Sequence, residues 1–236
     1  MKNTSVLYLA SPGLDPKIKE MCLRQLKEAA QDLPIIYMEQ DPSWPICGMS
    51  MYKQIQAGLD QVETKFVAIA EHDCLYSSEH FAFVPPDDHF WYNQNNWLLQ
   101  YHNPNHPEMD GTFSYWPKRR VQSQLICNRD LFKEATSLAM TICEDPLWNE
   151  VRHNMGVGEP GAVDYDKAMR LTRGSRKQQL RNRVKDYIVG YNARDFWTEV
   201  PNVDIRHTSN FTGPRRGRKK RMELEPWGTI DNLVVK

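Results

Sequence analysis

The chain has 236 residues, of which 40% are hydrophobic and 25% charged, and it carries no net charge at neutral pH. This is globular composition with enough length to bury a core without staples, and it excludes a disordered chain, a collagen or a coiled coil. Apolar runs such as VAIA at 67–70 fall far short of the ~20 residues that span a bilayer, and five scattered cysteines with no C-x-x-C pair argue against a disulfide framework or a Cys-ligated zinc site.

The expectation is a cytoplasmic protein with reduced thiols and no membrane partner. The N-terminal run SVLYLA (5–10) reads as a buried first strand rather than a signal peptide. From Lys17 to Asp32, Ile18, Met21, Cys22, Leu26 and Ala29 recur at helical spacing, Pro34 ends the helix, and PIIYM (34–38) is a second strand. A second helix follows over 49–62, with Met49, Tyr52, Ile55, Leu59 and Val62 in register. KFVAIA (65–70) is then the short continuous apolar run of a central parallel strand. Strand and helix alternating in this way predict an α/β layer. After residue 80 come aromatic-rich segments, FAFVPPDDHFWYNQNNWLLQY and GTFSYW, that read as strands extending or flanking the sheet. Helices are expected over 130–143 and 145–153, a Gly-rich turn over 156–162, and late strands at 186–191 and 203–207, with 208–228 as a flexible tail.

The zero net charge hides a segregation. Residues 1–120 hold 10 Lys/Arg against 15 Asp/Glu, and residues 121–236 hold 20 against 15. Two windows, RLTRGSRKQQLRNRVK (170–185) and RHTSNFTGPRRGRKKR (206–221), each carry seven basic residues and no acid. Such runs attract polyanions: nucleic acid, or the phosphates of a small ligand.

In parallel sheets ligands gather at the carboxyl ends of the strands. The strand FVAIA runs straight into Glu71-His72-Asp73, an acid-x-acid element whose oxygens suit a hard divalent cation such as Mn²⁺ or Mg²⁺ held against a diphosphate. His207, at the end of another expected strand, is a second candidate ligand beside Asp73. The loop beyond it, with Asn210, Thr212, Gly213, Arg215 and Arg216, is a candidate lid over phosphates. Trp91 and Trp97 are the members of an aromatic cluster read as free to stack on a sugar or a base.

The opening β-α-β and the block YKQIQAGLDQVETKFVAIAEHDCLYSSEHFAF resemble a GT-A glycosyltransferase domain, a nucleotide-sugar-binding α/β fold. The resemblance covers residues 4–135 and, more loosely, 200–228. It implies a mixed, mainly parallel central sheet flanked by helices, one catalytic domain over 1–207, and a basic C-terminal lid or tail over 208–236. Glu71-His72-Asp73 stands where that fold has its Asp-x-Asp metal motif and departs from it by opening with Glu; the resemblance makes Asp73 and His207 the metal ligands and Glu71 a donor-binding residue. Tyr8, Ala10 and Ser11 are then expected against the nucleotide base. For an inverting reaction a carboxylate must take the acceptor proton, and Glu159 and Asp164 are the candidates.

The run PPDDHFWYNQNNW is similar to a block of small bacteriophage and bacterial glycosyltransferases, some of which act on hydroxymethylated pyrimidines in phage DNA. The implied reaction is transfer from a nucleoside-diphosphate sugar, a UDP-sugar first among them, to such a base in DNA. Trp91, Trp97, Arg173, Arg176, Lys177, Arg181 and Arg183 would then hold the acceptor. The alternatives are transfer to a bacterial surface glycan, and a nucleic-acid-binding protein without catalysis.

Overall fold

A computed structural model describes residues 3–44, 48–101, 109–115, 117, 120–144, 160, 193–207 and 219–234. Strand β1 (Thr4–Ala10) lies between β2 (Ile35–Glu39) and β3 (Phe66–Glu71) and is parallel to both. Helix α1 (Pro16–Ala30) begins where the sequence instructs it to. Asp15 caps it by accepting from the Lys17 N–H at 2.9 Å, and Pro16 sits at the first helical position, where its missing N–H is not needed. Ile18, Cys22, Leu26 and Ala29 form its buried stripe. Helix α2 (Gly48–Leu59) covers the opposite face of the sheet.

The chain continues through β4 (Cys74–Leu75), α3 (Ser78–Ala82), β5 (Phe90–Asn93), β6 (Asn96–Gln100), β7 (Phe113–Tyr115), a 3-10 turn (Gln122–Gln124), β8 (Leu125–Asn128) and α4 (Arg129–Glu144). The last described elements are β9 (Ala193–Phe196), β10 (Asn202–Arg206), β11 (Lys219–Arg221) and α5 (Ile230–Val234). The fold is mixed α/β with helices flanking its sheets.

The described strands form two sheets. The first has the order β2-β1-β3-β8-β5-β9, with β8 antiparallel to β3 and to β5. The second has the order β11-β7-β6-β10-β4, and only its β6–β10 pairing is parallel. The sequence predicts one mainly parallel sheet; the structure adds a second, mostly antiparallel one, built from the aromatic segments and the late strands. Residues 219–221, expected in a flexible tail, are an edge strand of this second sheet, hydrogen-bonded to β7. The expected helix at 145–153 and strand at 186–191 lie outside the described residues.

Three apolar clusters hold these layers. Leu7, Leu9, Ile55, Leu59, Val67, Ile69 and Phe132 join α2 and α4 to one face of the first sheet. Val6, Tyr8, Ala10, Leu26, Ala68, Ala70 and Phe81 join α1 and α3 to the other. Leu14, Ile18, Cys22, Leu99, Phe113, Val203 and Ile205 bury α1 against the second sheet, so this one helix is shared by both. Each fully buried aliphatic side chain is worth about 1.5–3 kcal/mol. Gly58 marks the closest helix–sheet approach: a Cβ there would stand 2.9 Å from Met38 Cγ and closer still to Leu7 Cδ1. Among the described residues no helix is long and apolar enough to cross a membrane.

Candidate metal centre

Strand β3 is apolar throughout because it is covered on both faces, and the polar residues begin where it ends. There the chain turns through Glu71-His72-Asp73 into β4, whose Cys74 pairs with Asp204 of β10. The backbone fixes the turn from two sides: the His72 N–H donates to Leu9 O at 3.1 Å, and Asp73 O accepts from the Ile205 N–H at 2.8 Å. His207 follows directly on β10, and its Nε2 stands 3.4 Å from Asp73 Oδ2. His72, Asp73 and His207 each offer a ligand atom, and these atoms lie within 4.8 Å of one another; Glu71, Asp73 and Cys74 satisfy the same limit.

The orientation of His72 follows from its neighbours. Its Nδ1 lies 3.2 Å from the Leu9 carbonyl, which can only accept, so Nδ1 carries the proton. Nε2 then presents its lone pair towards the site, with Ser11 Oγ 3.3 Å away. A backbone carbonyl fixing one nitrogen so that the other can bind is the usual outer support of a metal-ligating histidine. Asp73 is 4% exposed. Burial alone would push its carboxyl up; the hydrogen bond from His207 and the charge interactions with the neighbouring His72, His207 and Arg206 side chains outweigh that and hold it well below the usual carboxylate range. Beneath it Arg206 Nη2 lies 3.4 Å from Asp204 Oδ2, both side chains being buried.

The charges of Asp204, Asp73 and Glu71 all favour the Arg206 guanidinium, so the cluster around this centre is rich in acid. One carboxylate with two imidazoles fits a transition ion such as Mn²⁺ better than Mg²⁺, which prefers oxygen alone.

The remaining expected site residues fall into three groups. Ala10 and Ser11 end β1 beside this centre: Ala10 O accepts from Gln54 Nε2 at 2.8 Å, and Ser11 meets His72. Tyr8, expected against a nucleotide base, is fully buried in the α1-side core, where loss of hydration pushes its hydroxyl far above its ordinary range, and it has no surface to offer a ligand. Its ring packs 5.3 Å from that of Tyr37, which is 42% exposed and is the aromatic the sequence reading passed over. Trp91 and Trp97 are not brought together. Trp91 lies in the first sheet, its indole N–H donating to Asp87, whereas Trp97 lies in the second. Glu159, Asp164, Arg173, Arg176, Lys177, Arg181, Arg183, Asn210, Thr212, Gly213, Arg215 and Arg216 lie outside the described residues.

His72, Asp204 and Arg206 were missed. His72 is the middle residue of the acid-x-acid element, whose pattern draws the eye to the acids on either side. The strand VDIRH held a usable signal, two charged residues on one face of a segment otherwise patterned for burial.

No family model matches the sequence, and no curated protein matches it. Among solved structures it is similar to a glycosyltransferase involved in glycosylation of the major capsid of PBCV-1, with 9% identity and a TM-score of 0.45 over 88% of this chain and 94% of that one. A superposition at this level does not define a shared family.

Proposed function

We propose that the protein is a divalent-cation-dependent glycosyltransferase that takes a nucleoside-diphosphate sugar, a UDP-sugar first among them, and transfers the sugar to a hydroxyl acceptor. The observation that carries this reading is the convergence of His72, Asp73 and His207 at the carboxyl ends of β3 and β10. It joins the resemblance of the first 135 residues to GT-A enzymes. Asp73, His72 and His207 would hold the cation, which when bound offsets the charge of the departing diphosphate. Leu9 O and Ser11 orient His72, the Arg206–Asp204 pair supports Asp73 from below, and the burial of Asp73 strengthens its charge interactions by excluding water. Tyr37, exposed on β2 opposite Tyr8 of β1, offers a ring that can stack on a base.

A hydroxymethylated pyrimidine in DNA is the acceptor favoured by the basic windows, of which Lys219, Lys220 and Arg221 form the described part on the exposed edge strand β11. A saccharide acceptor is favoured instead by the surroundings of Trp97, described below.

Thermal unfolding with UDP, with and without Mn²⁺, tests the core of the proposal. Ligand at 100 times its Kd stabilises by about 2.7 kcal/mol, a visible rise in Tm that should require both components. No rise with any nucleoside diphosphate plus Mn²⁺ would refute it.

A further inference from the structure

At the other end of the second sheet lies a cavity of about 450 Å³ lined by Trp97, Glu199, Arg221, Glu223, Leu224 and Glu225 among others. This volume falls in the range of small-ligand sites. The register Val203↔Trp97↔Tyr115↔Lys219 places it four residues before His207 on β10, roughly 13 Å along the strand from the metal centre. It is a separate place on the molecule.

Trp97, in its lining, begins a row of three aromatics, of which Tyr115 and Trp197 stand outside the lining. The Trp97 and Tyr115 ring centroids are 5.4 Å apart, and those of Tyr115 and Trp197 are 6.1 Å apart. Trp197 is 61% exposed, a large apolar face left in water. The Arg221 guanidinium sits 5.2 Å from the Trp97 centroid. The carboxylates of Glu199, Glu223 and Glu225 accept no hydrogen bond and form no ion pair among the described residues.

We infer that this pocket and the aromatic row beside it together form a saccharide-binding site, with Trp197 and Tyr115 stacking on the apolar C–H face of a sugar ring beside the pocket while the three carboxylates in it accept from the saccharide's hydroxyls and Arg221 donates to them. Each sugar hydroxyl both donates and accepts, and the rim supplies acceptors and a five-donor fork side by side. Two other ligand classes fit less well. Among the residues lining the pocket three carboxylates stand against one guanidinium, which disfavours a phosphodiester chain there. A ligand cation would seek the face of Trp97, and Arg221 already lies over it. The role of this saccharide as the acceptor rests on the glycosyltransferase reading; the binding itself does not.

The test is retention of the labelled full-length chain on an array of immobilised glycans, followed by calorimetric titration of the best-retained oligosaccharide. Saturable binding is expected, weakened roughly tenfold or more in Trp197→Ala, whose side chain is mostly exposed, and likewise in Glu223→Gln. Asp73→Asn should bind the same saccharide with unchanged affinity, so a failed metal site and a failed saccharide site give different results. The inference is overturned if no glycan is retained, if Trp197→Ala binds as the wild type does, or if single-stranded DNA rather than saccharide is the ligand whose binding Trp197→Ala abolishes.

Discussion

Asp73 and His207 meet at 3.4 Å although one closes a turn of the first half of the chain and the other follows its late strand β10. Strand pairing sets the distance: Cys74 and Asp204 are register partners, so the residues flanking that pair are carried to the same edge of the sheet. Neither side chain reaches the other through a flexible loop. That rigidity suits a site that must hold donor atoms to within a fraction of an ångström.

The donors should be separable by mutation. Asp73→Asn is expected to abolish the Mn²⁺-dependent part of nucleotide stabilisation while leaving a folded protein, because the amide keeps the volume and half of the hydrogen-bonding capacity. Asp73→Ala is a poorer probe, since removing one partner of a buried charge pair costs about 3–5 kcal/mol. His72→Gln should weaken Mn²⁺ affinity by roughly tenfold or more, and Ser11→Ala by less, as befits an outer support. Direct Mn²⁺ titration followed by electron paramagnetic resonance would measure all three, and wild-type affinity in His72→Gln would strike that residue from the ligand set.

His80 predicts a pH dependence of stability. It is fully buried among Tyr76, Phe81 and Phe196, and its Nε2 has no hydrogen-bond partner among the described residues. Burial lowers its pKa to about 3, from an ordinary value of 6.5. Between those two values the unfolded chain binds a proton that the folded chain refuses, so this contribution is complete above pH 6.5 and is lost as the pH falls towards 3. The slope approaches about 1.4 kcal/mol per pH unit within the window. Urea unfolding at several pH values should therefore be shallower in pH for His80→Leu than for the wild type; parallel curves would contradict the assignment.

Gly58→Ala sets two effects against each other. Alanine is better than glycine inside a helix by about 1 kcal/mol. The added methyl, however, would collide with Leu7 and with Met38, where it would stand 2.9 Å from Cγ, and Leu7 is fixed in the core. Overpacking of this kind costs about 1–3 kcal/mol. The net expectation is a lower Tm than wild type, and a raised Tm would show that α2 can shift away from the sheet.

The first 75 residues were readable because their partners are close in sequence. Continuous apolar runs marked β1 and β3, helical spacing marked α1 and α2, and the turn after β3 pointed to Asp73. The second sheet was not readable. Its central pair joins Asn96–Gln100 to Asn202–Arg206, and no local period announces a pairing across that separation. Tyr8 was misread for a related reason: a tyrosine near a strand end looks available until the other face of the sheet is known to carry α1. Trp97 belongs to an aromatic cluster evident in the sequence, but the acidic residues that line a pocket with it, Glu199, Glu223 and Glu225, come from distant segments.

The pairing of β10 with β4 and β6 also orders events in time. A chain emerging from the ribosome presents Glu71-His72-Asp73 early, yet His207 arrives only after most of the polypeptide has been made, and it is brought to Asp73 by the pairing of β10 between β6 and β4. The complete set of three donors is thus a property of the finished protein. A chain that ends before His207 lacks one of the three candidate donors, whatever its first half has built.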